Sequence, residues 1–238
     1  MKIIENLEQG TPEWFIARMM KVTGTKAKAV MGTAEAQRNL IAELISEEAT
    51  ELAKSTKTTE TMERGTNEEP FAIKAFEENT GKKVVRIGQC VSEEYDWVAL
   101  SPDGLIANAE GKYTEAVEVK CPDSKKLVLY KIENMIPMDE TGLIGKKGDP
   151  LAGAPFLGIP SEYKWQCVHY FLVNKDLETL YFLVYEARFI STEAKLYTVE
   201  LKRSNEVLQE ALAEYVTELI AFRRKWLAWK EIVLPTNF

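Results

Sequence analysis

The 238-residue sequence is poor in residues on which several common chemistries depend. It has one histidine, His169, which excludes a multi-histidine zinc site and leaves a Ser-His-Asp mechanism resting on a single unsupported residue, so His169 reads as structural. The three cysteines, Cys90, Cys121 and Cys167, are far apart, form no CxxC and leave one unpaired in any disulfide scheme, as expected of a reducing cytoplasm. No apolar run approaches the roughly 20 residues of a membrane helix, and the start lacks a basic segment followed by an apolar one, so the expectation is a soluble, unexported protein. There is no G-x-x-x-x-G-K-[ST] phosphate loop, which argues against ATP-driven work, and no internal repeat. Positive charge is also short, with 30 basic against 37 acidic residues and a formal net charge of -7. That balance works against promiscuous attraction to a polyanion but does not exclude a local basic channel.

What is present is ordinary globular material, 45% hydrophobic and 28% charged, which rules out global disorder and suits one domain over residues 1–238. Apolar spacing predicts a helix over 38–54, with Leu40, Ile41, Leu44, Ile45 and Leu52 inward, and a break over 55–61. A second helix is expected from an Asn67 cap to about Asn79, with Pro70 in its first turn, Phe71, Ala75 and Phe76 inward, and Gly81 as terminator. The period then changes: 84–87, 97–100, 116–120 and 179–185 read as strands. Residues 161–173 read as a helix, and 205–229 as a long one with Leu208, Leu212, Tyr215, Leu219, Phe222 and Trp226 on one stripe. Glycines and prolines from 134 to 160, around Lys146 and Lys147, predict a long loop, either a basic flap or a surface insertion. The sum is an α/β (α+β) chain with a helix-flanked sheet.

The most informative stretch is Ser101-Pro102-Asp103-Gly104, with fourteen residues between Asp103 and the Glu118-Val119-Lys120 segment. Side chains alternate along a strand, so Glu118 and Lys120 emerge on one face while Val117 and Val119 enter the opposite apolar layer. A hairpin can return the chain so that the Asp103 turn faces Glu118. Two such carboxylates could hold a hard divalent cation, Mg²⁺ or Mn²⁺, beside a lysine that orients or deprotonates a water, and phosphodiester hydrolysis is the natural reaction. The plain alternative is a turn aspartate and a solvated Glu-Lys pair.

The PD, then E-x-K, pattern resembles the PD-(D/E)xK nuclease superfamily. Three further segments are similar to one branch of it, the lambda-type phage exonucleases and YqaJ-like viral recombinases. These are Gln9-Gly10-Thr11-Pro12-Glu13-Trp14 through Arg18 with Val22-Thr23-Gly24-Thr25, then Arg64-Gly65-Thr66-Asn67-Glu68-Glu69, then Trp165-Gln166 within 163–170. The motifs occur in the family's order and span residues 9 to about 185. The resemblance implies a restriction-endonuclease-like central mixed sheet flanked by helices.

By that resemblance Asp103, Glu118, Glu69 and Val119 would hold Mg²⁺ (Mn²⁺ possible), Lys120 would position the attacking water, and Gln166 would complete the site. Glu68 rivals Glu69, since either acidic side chain also suits a first helical turn. Arg18 and Thr25 match positions that hold a terminal 5′-phosphate, against a surface salt bridge and a helix cap as their plain roles. Trp14 could stack on a base at the duplex end and Met62 could be an apolar wedge; both could equally be core. Four cysteines would be needed for the iron-sulfur members, which disfavours that sub-branch. The implied activity is a 5′-to-3′ exonuclease on linear double-stranded DNA that leaves 3′ tails for recombination by strand annealing. The implied setting is a phage or prophage, with a homo-oligomer, possibly a ring-shaped trimer, and a single-strand annealing protein as partner. Lys21, Lys26 and Lys28 are candidates for lining such a ring. The rivals are a catalytically silent DNA-end or protein-binding module on the same fold, and an enzyme acting on small phosphate esters.

Overall fold

The computed structural model describes residues 1–53, 59–135 and 156–235. In chain order the elements are β1 (Lys2–Ile4), α1 (Pro12–Ala17), a 3₁₀ turn (Gly24–Lys26), α2 (Ala27–Val30), α3 (Ala34–Thr50), α4 (Glu60–Thr80), β2 (Gln89–Val91), β3 (Ala99–Leu100), β4 (Gly104–Ala107), β5 (Tyr113–Lys120) and α5 (Ser124–Met135). A second 3₁₀ turn (Ser161–Tyr163) leads into α6 (Lys164–Val173), β6 (Thr179–Tyr185), α7 (Thr192–Lys195), β7 (Leu196–Lys202) and α8 (Glu206–Val233).

The main sheet has the order β4-β5-β6-β7, with β5 and β6 parallel and the outer pairs antiparallel, so it is mixed as expected. A small antiparallel sheet, β1-β2-β3, lies beside it. Alternation along β5 divides the core. Val117 and Val119 pack with Ala72, Ile73 and Phe76 of α4, whereas Ala116 joins the larger cluster that includes Tyr170 of α6 and Tyr215, Phe222 and Trp226 of α8. Glu118 falls on that second side and is 1% exposed.

Several boundaries differ from the sequence reading. Thr33 caps α3 by accepting the Ala36 N–H, and Glu51, in the left-handed region at φ 54°, ends it, so Leu52 lies outside the helix and is 69% exposed. Helix α4 starts at Glu60, and Pro70 sits inside it rather than in a first turn. A proline there removes one backbone bond, and the burial of Ala72, Ile73 and Phe76 offsets it. Phe71, expected inward, is 59% exposed, because the face packed on the sheet carries Ala72, Ile73 and Phe76 instead. Gly81, at φ +71°, ends α4 as expected. The 84–87 stretch is no strand; it makes one bridge, Val85 to Leu105. The 179–185 strand holds to the residue, and Asn205 caps α8 over the expected stripe. Of the 134–160 loop, residues 136–155, with Lys146 and Lys147, lie outside the described residues, as do 55–58 of the 55–61 break.

Candidate active site

The β4–β5 hairpin pairs Gly104 with Val117, which sets Asp103 across from Glu118. Glycine is required after Asp103, because a Cβ at Gly104 would meet Val84 Cγ1 at 2.1 Å and Val117 Cγ2 at 3.0 Å. Asp103 Oδ2 accepts the Val119 N–H at 2.7 Å. A residue's N–H and C=O point to the same edge of a strand, so the Val119 carbonyl also faces the Asp103 side. The Tyr170 hydroxyl donates to Glu118 Oε2 at 2.6 Å and accepts the Asp103 N–H at 3.4 Å, tying the two acidic positions together. Glu118 Oε1 receives Gln166 Nε2 at 2.5 Å and the Lys120 ammonium.

Electrostatics follow from this crowding. Burial and then the Glu118 charge push the Asp103 carboxyl well above the usual range, against Lys120 and the Val119 N–H. Burial pulls Lys120 down, but Glu118 and Asp103 outweigh it and its pKa ends up raised. The raised direction suits an ammonium that donates and orients. Glu69, on α4, is raised first by burial and also by Glu118, with Arg86 opposing from 2.5 Å. Glu68 turns elsewhere, toward Arg64 Nη1 at 3.5 Å. Of the two glutamates, Glu69 faces Asp103, Glu118 and Lys120.

Among the described residues no three His, Cys, Asp or Glu side chains gather closely enough to hold a metal ion by themselves. The expected cage of Asp103, Glu118 and Glu69 is thus not drawn together: Arg86 holds Glu69, while Lys120, Gln166 and Tyr170 engage Glu118. The donor chemistry nevertheless fits a hard cation, since Mg²⁺ needs only one or two carboxylates besides water and phosphate oxygens, and Asp103, Glu118 and the Val119 carbonyl supply oxygen alone.

A second cluster adjoins the first. Gln9 Nε2 donates to the carbonyls of Ile87 and Pro102, at 3.0 and 2.8 Å, and so clamps the chain just before Asp103. Arg18 follows α1 and donates to Ser101 Oγ at 2.8 Å and Thr23 Oγ1 at 3.4 Å; the Thr23 and Thr25 hydroxyls lie 3.3 Å apart. The guanidinium lies 4.1 Å over the Trp14 ring, and Trp14 Nε1 donates to the Gly88 carbonyl and Ser101 Oγ. Trp14 is thus an anchor for Arg18, with its indole N–H spent on the protein. Among the described residues Arg18 has no ion pair, and burial lowers its pKa to about 10 against the pull of Glu47. Thr25 is exposed. Met62 lies in α4, its side chain outside the described residues. Lys26 pairs with Glu43 and Glu47, at 3.2 and 3.5 Å.

Sequence reading missed Ser101, Thr23 and Tyr170. Ser101 had a signal, its place two residues before Asp103. Tyr170 had none, because a tyrosine in an apolar helix reads as core.

His169 is structural, as expected: it is fully buried, with Nδ1 2.8 Å from the Tyr215 hydroxyl and Nε2 2.8 Å from the Ala99 carbonyl. Burial, with the Arg18 charge adding, lowers its pKa from 6.5 to about 4 against the Ala99 carbonyl. Between those values the unfolded chain takes up a proton that the folded chain does not, so stability falls as pH falls through this window and is untouched above it. Denaturation at pH 7 and pH 5 should show wild type losing on the order of 2 kcal/mol more than His169→Gln. Equal losses in the two proteins would remove the assignment.

A helix-flanked mixed sheet with Asp103, Glu118 and Lys120 at the end of its hairpin is a restriction-endonuclease-like fold. The chain belongs to the YqaJ-like viral recombinase domain family, whose model matches residues 13–177. It is similar to the crystal structure of an alkaline exonuclease from Laribacter hongkongensis, at 26% identity over 94% of this chain and 96% of that one, with a TM-score of 0.70. The same figures hold for that enzyme in complex with dAMP. In fold it is also similar to a phage-related exonuclease from Haemophilus somnus 129PT, at 12% identity over 91% and 96% of the two chains, with a TM-score of 0.58. No curated protein matches it. Among the described residues no helix is long and apolar enough to cross a membrane.

Proposed function

We propose that the chain is a metal-dependent exonuclease that digests one strand of linear double-stranded DNA from its 5′ end, leaving 3′ single-stranded tails for strand annealing. The observation that carries this reading is the adjacency of two clusters. Asp103, Glu118, Lys120 and Gln166 form a water-poor acidic site, and Ser101-Pro102-Asp103 joins it directly to a half-buried guanidinium that has no ion pair among the described residues and donates to the Ser101 and Thr23 hydroxyls. Such a guanidinium suits a dianionic terminal phosphate, and its hydrogen-bond partner Ser101 stands two residues before Asp103. Kinship with exonucleases, one of them bound to a deoxynucleotide, supports DNA as substrate.

Mg²⁺ or Mn²⁺, when bound, would stabilise charge on the phosphate and acidify a water. Asp103, Glu118 and the Val119 carbonyl would hold it, with Glu69 as a further acidic position. Lys120 orients the water through its ammonium, and Gln166 and Tyr170 fix the Glu118 carboxylate. The reading extends to a ring-shaped homotrimer, an annealing-protein partner and a cytoplasmic setting in a phage-infected or lysogenic cell.

Linear duplex labelled separately on each strand provides the test. With Mg²⁺, the 5′-phosphorylated strand should shorten from its 5′ end while its complement persists, and chelation should stop digestion until the metal is restored. Intact DNA in every condition, undiminished digestion under chelator, or loss from 3′ ends would each overturn the reading.

A further inference from the structure

Arg64 precedes Glu69 on α4, and its two terminal nitrogens meet different partners. Nη2 donates to the Cys121 carbonyl at 3.0 Å. Nη1 is shut off from solvent and makes no hydrogen bond; it lies between carboxylates, 3.5 Å from Glu68 and 3.8 Å from Glu186. Glu186 follows β6 directly, is fully buried, and also takes Arg188 Nε at 2.8 Å and the Ser124 hydroxyl at 2.8 Å. One guanidinium thus joins α4 to the ends of the parallel strands β5 and β6, and through Glu186 to the first residue of α5.

The place of this knot matters because the β5–β6 ladder stops at the pair Lys120 and Val184. The next residue, Cys121, is outside the ladder, and Pro122 has no N–H to offer. Nothing in the sheet then fixes the Cys121–Pro122 peptide that follows, so the direction of the Cys121 carbonyl is set by what receives it. Here that is Arg64.

We infer that Arg64 is a positioning residue for Lys120: its bond to the Cys121 carbonyl fixes the end of β5, while its charge between Glu68 and Glu186 holds α4 against the sheet. The two functions separate by chemistry. Lysine keeps a cation between the carboxylates but lacks the planar fork that also reaches the carbonyl. A displacement of about 1 Å in a reacting group is enough to slow a reaction by about 10- to 100-fold.

The inference rests on the nuclease reading, and the experiment keeps the two apart. Wild type, Arg64→Lys and Arg64→Ala are compared on 5′-phosphorylated linear duplex with Mg²⁺, measuring kcat, KM and thermal unfolding. Arg64→Lys should unfold close to wild type, with KM within about twofold and kcat lower by about 10- to 100-fold, the split expected when chemistry rather than binding is damaged. Arg64→Ala should lose stability as well as rate; should it fail to fold, Arg64→Lys decides alone. A wild-type chain that leaves DNA intact removes the nuclease reading and this inference with it. A digesting wild type matched by an equally fast Arg64→Lys, or one whose whole loss is in KM, overturns the positioning function alone.

Discussion

Asp103→Ala should remain folded and digest DNA more slowly by on the order of 10²- to 10³-fold, the scale of losing one preorganised electrostatic group. The fold should survive because two effects oppose each other. Removing the carboxylate relieves its burial cost and its repulsion with Glu118, the two largest of the causes that raise its pKa. It also leaves the Val119 N–H without its acceptor, at about 1–3 kcal/mol. Asp103→Asn separates charge from shape, since its amide oxygen can still accept that N–H. Equal slowing in both variants, with cooperative unfolding retained, would assign the effect to charge. Undiminished cutting by either folded variant would remove Asp103 from the reaction.

The second large effect is one of selectivity. Wild type should digest a 5′-phosphorylated end about 10- to 100-fold faster than a 5′-hydroxyl end, which is the worth of a charged hydrogen bond of roughly 1.5–3 kcal/mol. Arg18→Ala should bring that ratio near unity, chiefly by slowing the phosphorylated substrate. The physical basis is that Arg18 carries a half-buried charge with no carboxylate partner among the described residues, held by Trp14, Ser101 and Thr23. A dianion would complete that arrangement; a hydroxyl would not. Competing the two ends in one reaction measures the ratio directly, and an unchanged preference in the variant would move end recognition elsewhere.

The hairpin was legible because its signals are local. Strict alternation over Ala116 to Lys120 identifies the strand, and a Pro-Asp-Gly turn identifies the reversal that faces Asp103 to it. Residues joined across long stretches of chain were less so. Arg18 reaches Ser101 over 83 residues, and no spacing rule connects them. Strands β1 and β2, three residues each, are too short to show a period, and β1 pairs with a partner as distant as Val91 from Lys2. Glu68 and Glu69 could not be told apart, because adjacent helical residues differ by about 100° and the reading placed the start of α4 at Asn67. Glu118 was placed with Lys120 on the face opposite the Val117 and Val119 layer, without its burial being foreseen; that burial follows from Gln166 and Tyr170 of α6 closing over it, a tertiary event.

The Arg18 cluster also bears on the order in which the molecule comes together. Strands β4 and β5 are neighbours in the chain and pair locally, whereas Gln9, Trp14 and Arg18 find their distant partners 74 to 93 residues away. Local closure costs less chain entropy, so the hairpin is expected to zip early and the amino-terminal arm to dock late. Pulse-labelled hydrogen exchange during refolding should protect Val117, in the hairpin, before Val22, whose N–H is bonded to the distant Trp97 carbonyl; simultaneous protection would refute that order. On the ribosome the arm is made first yet must wait for Gly88 and Ser101 before it has anything to dock against.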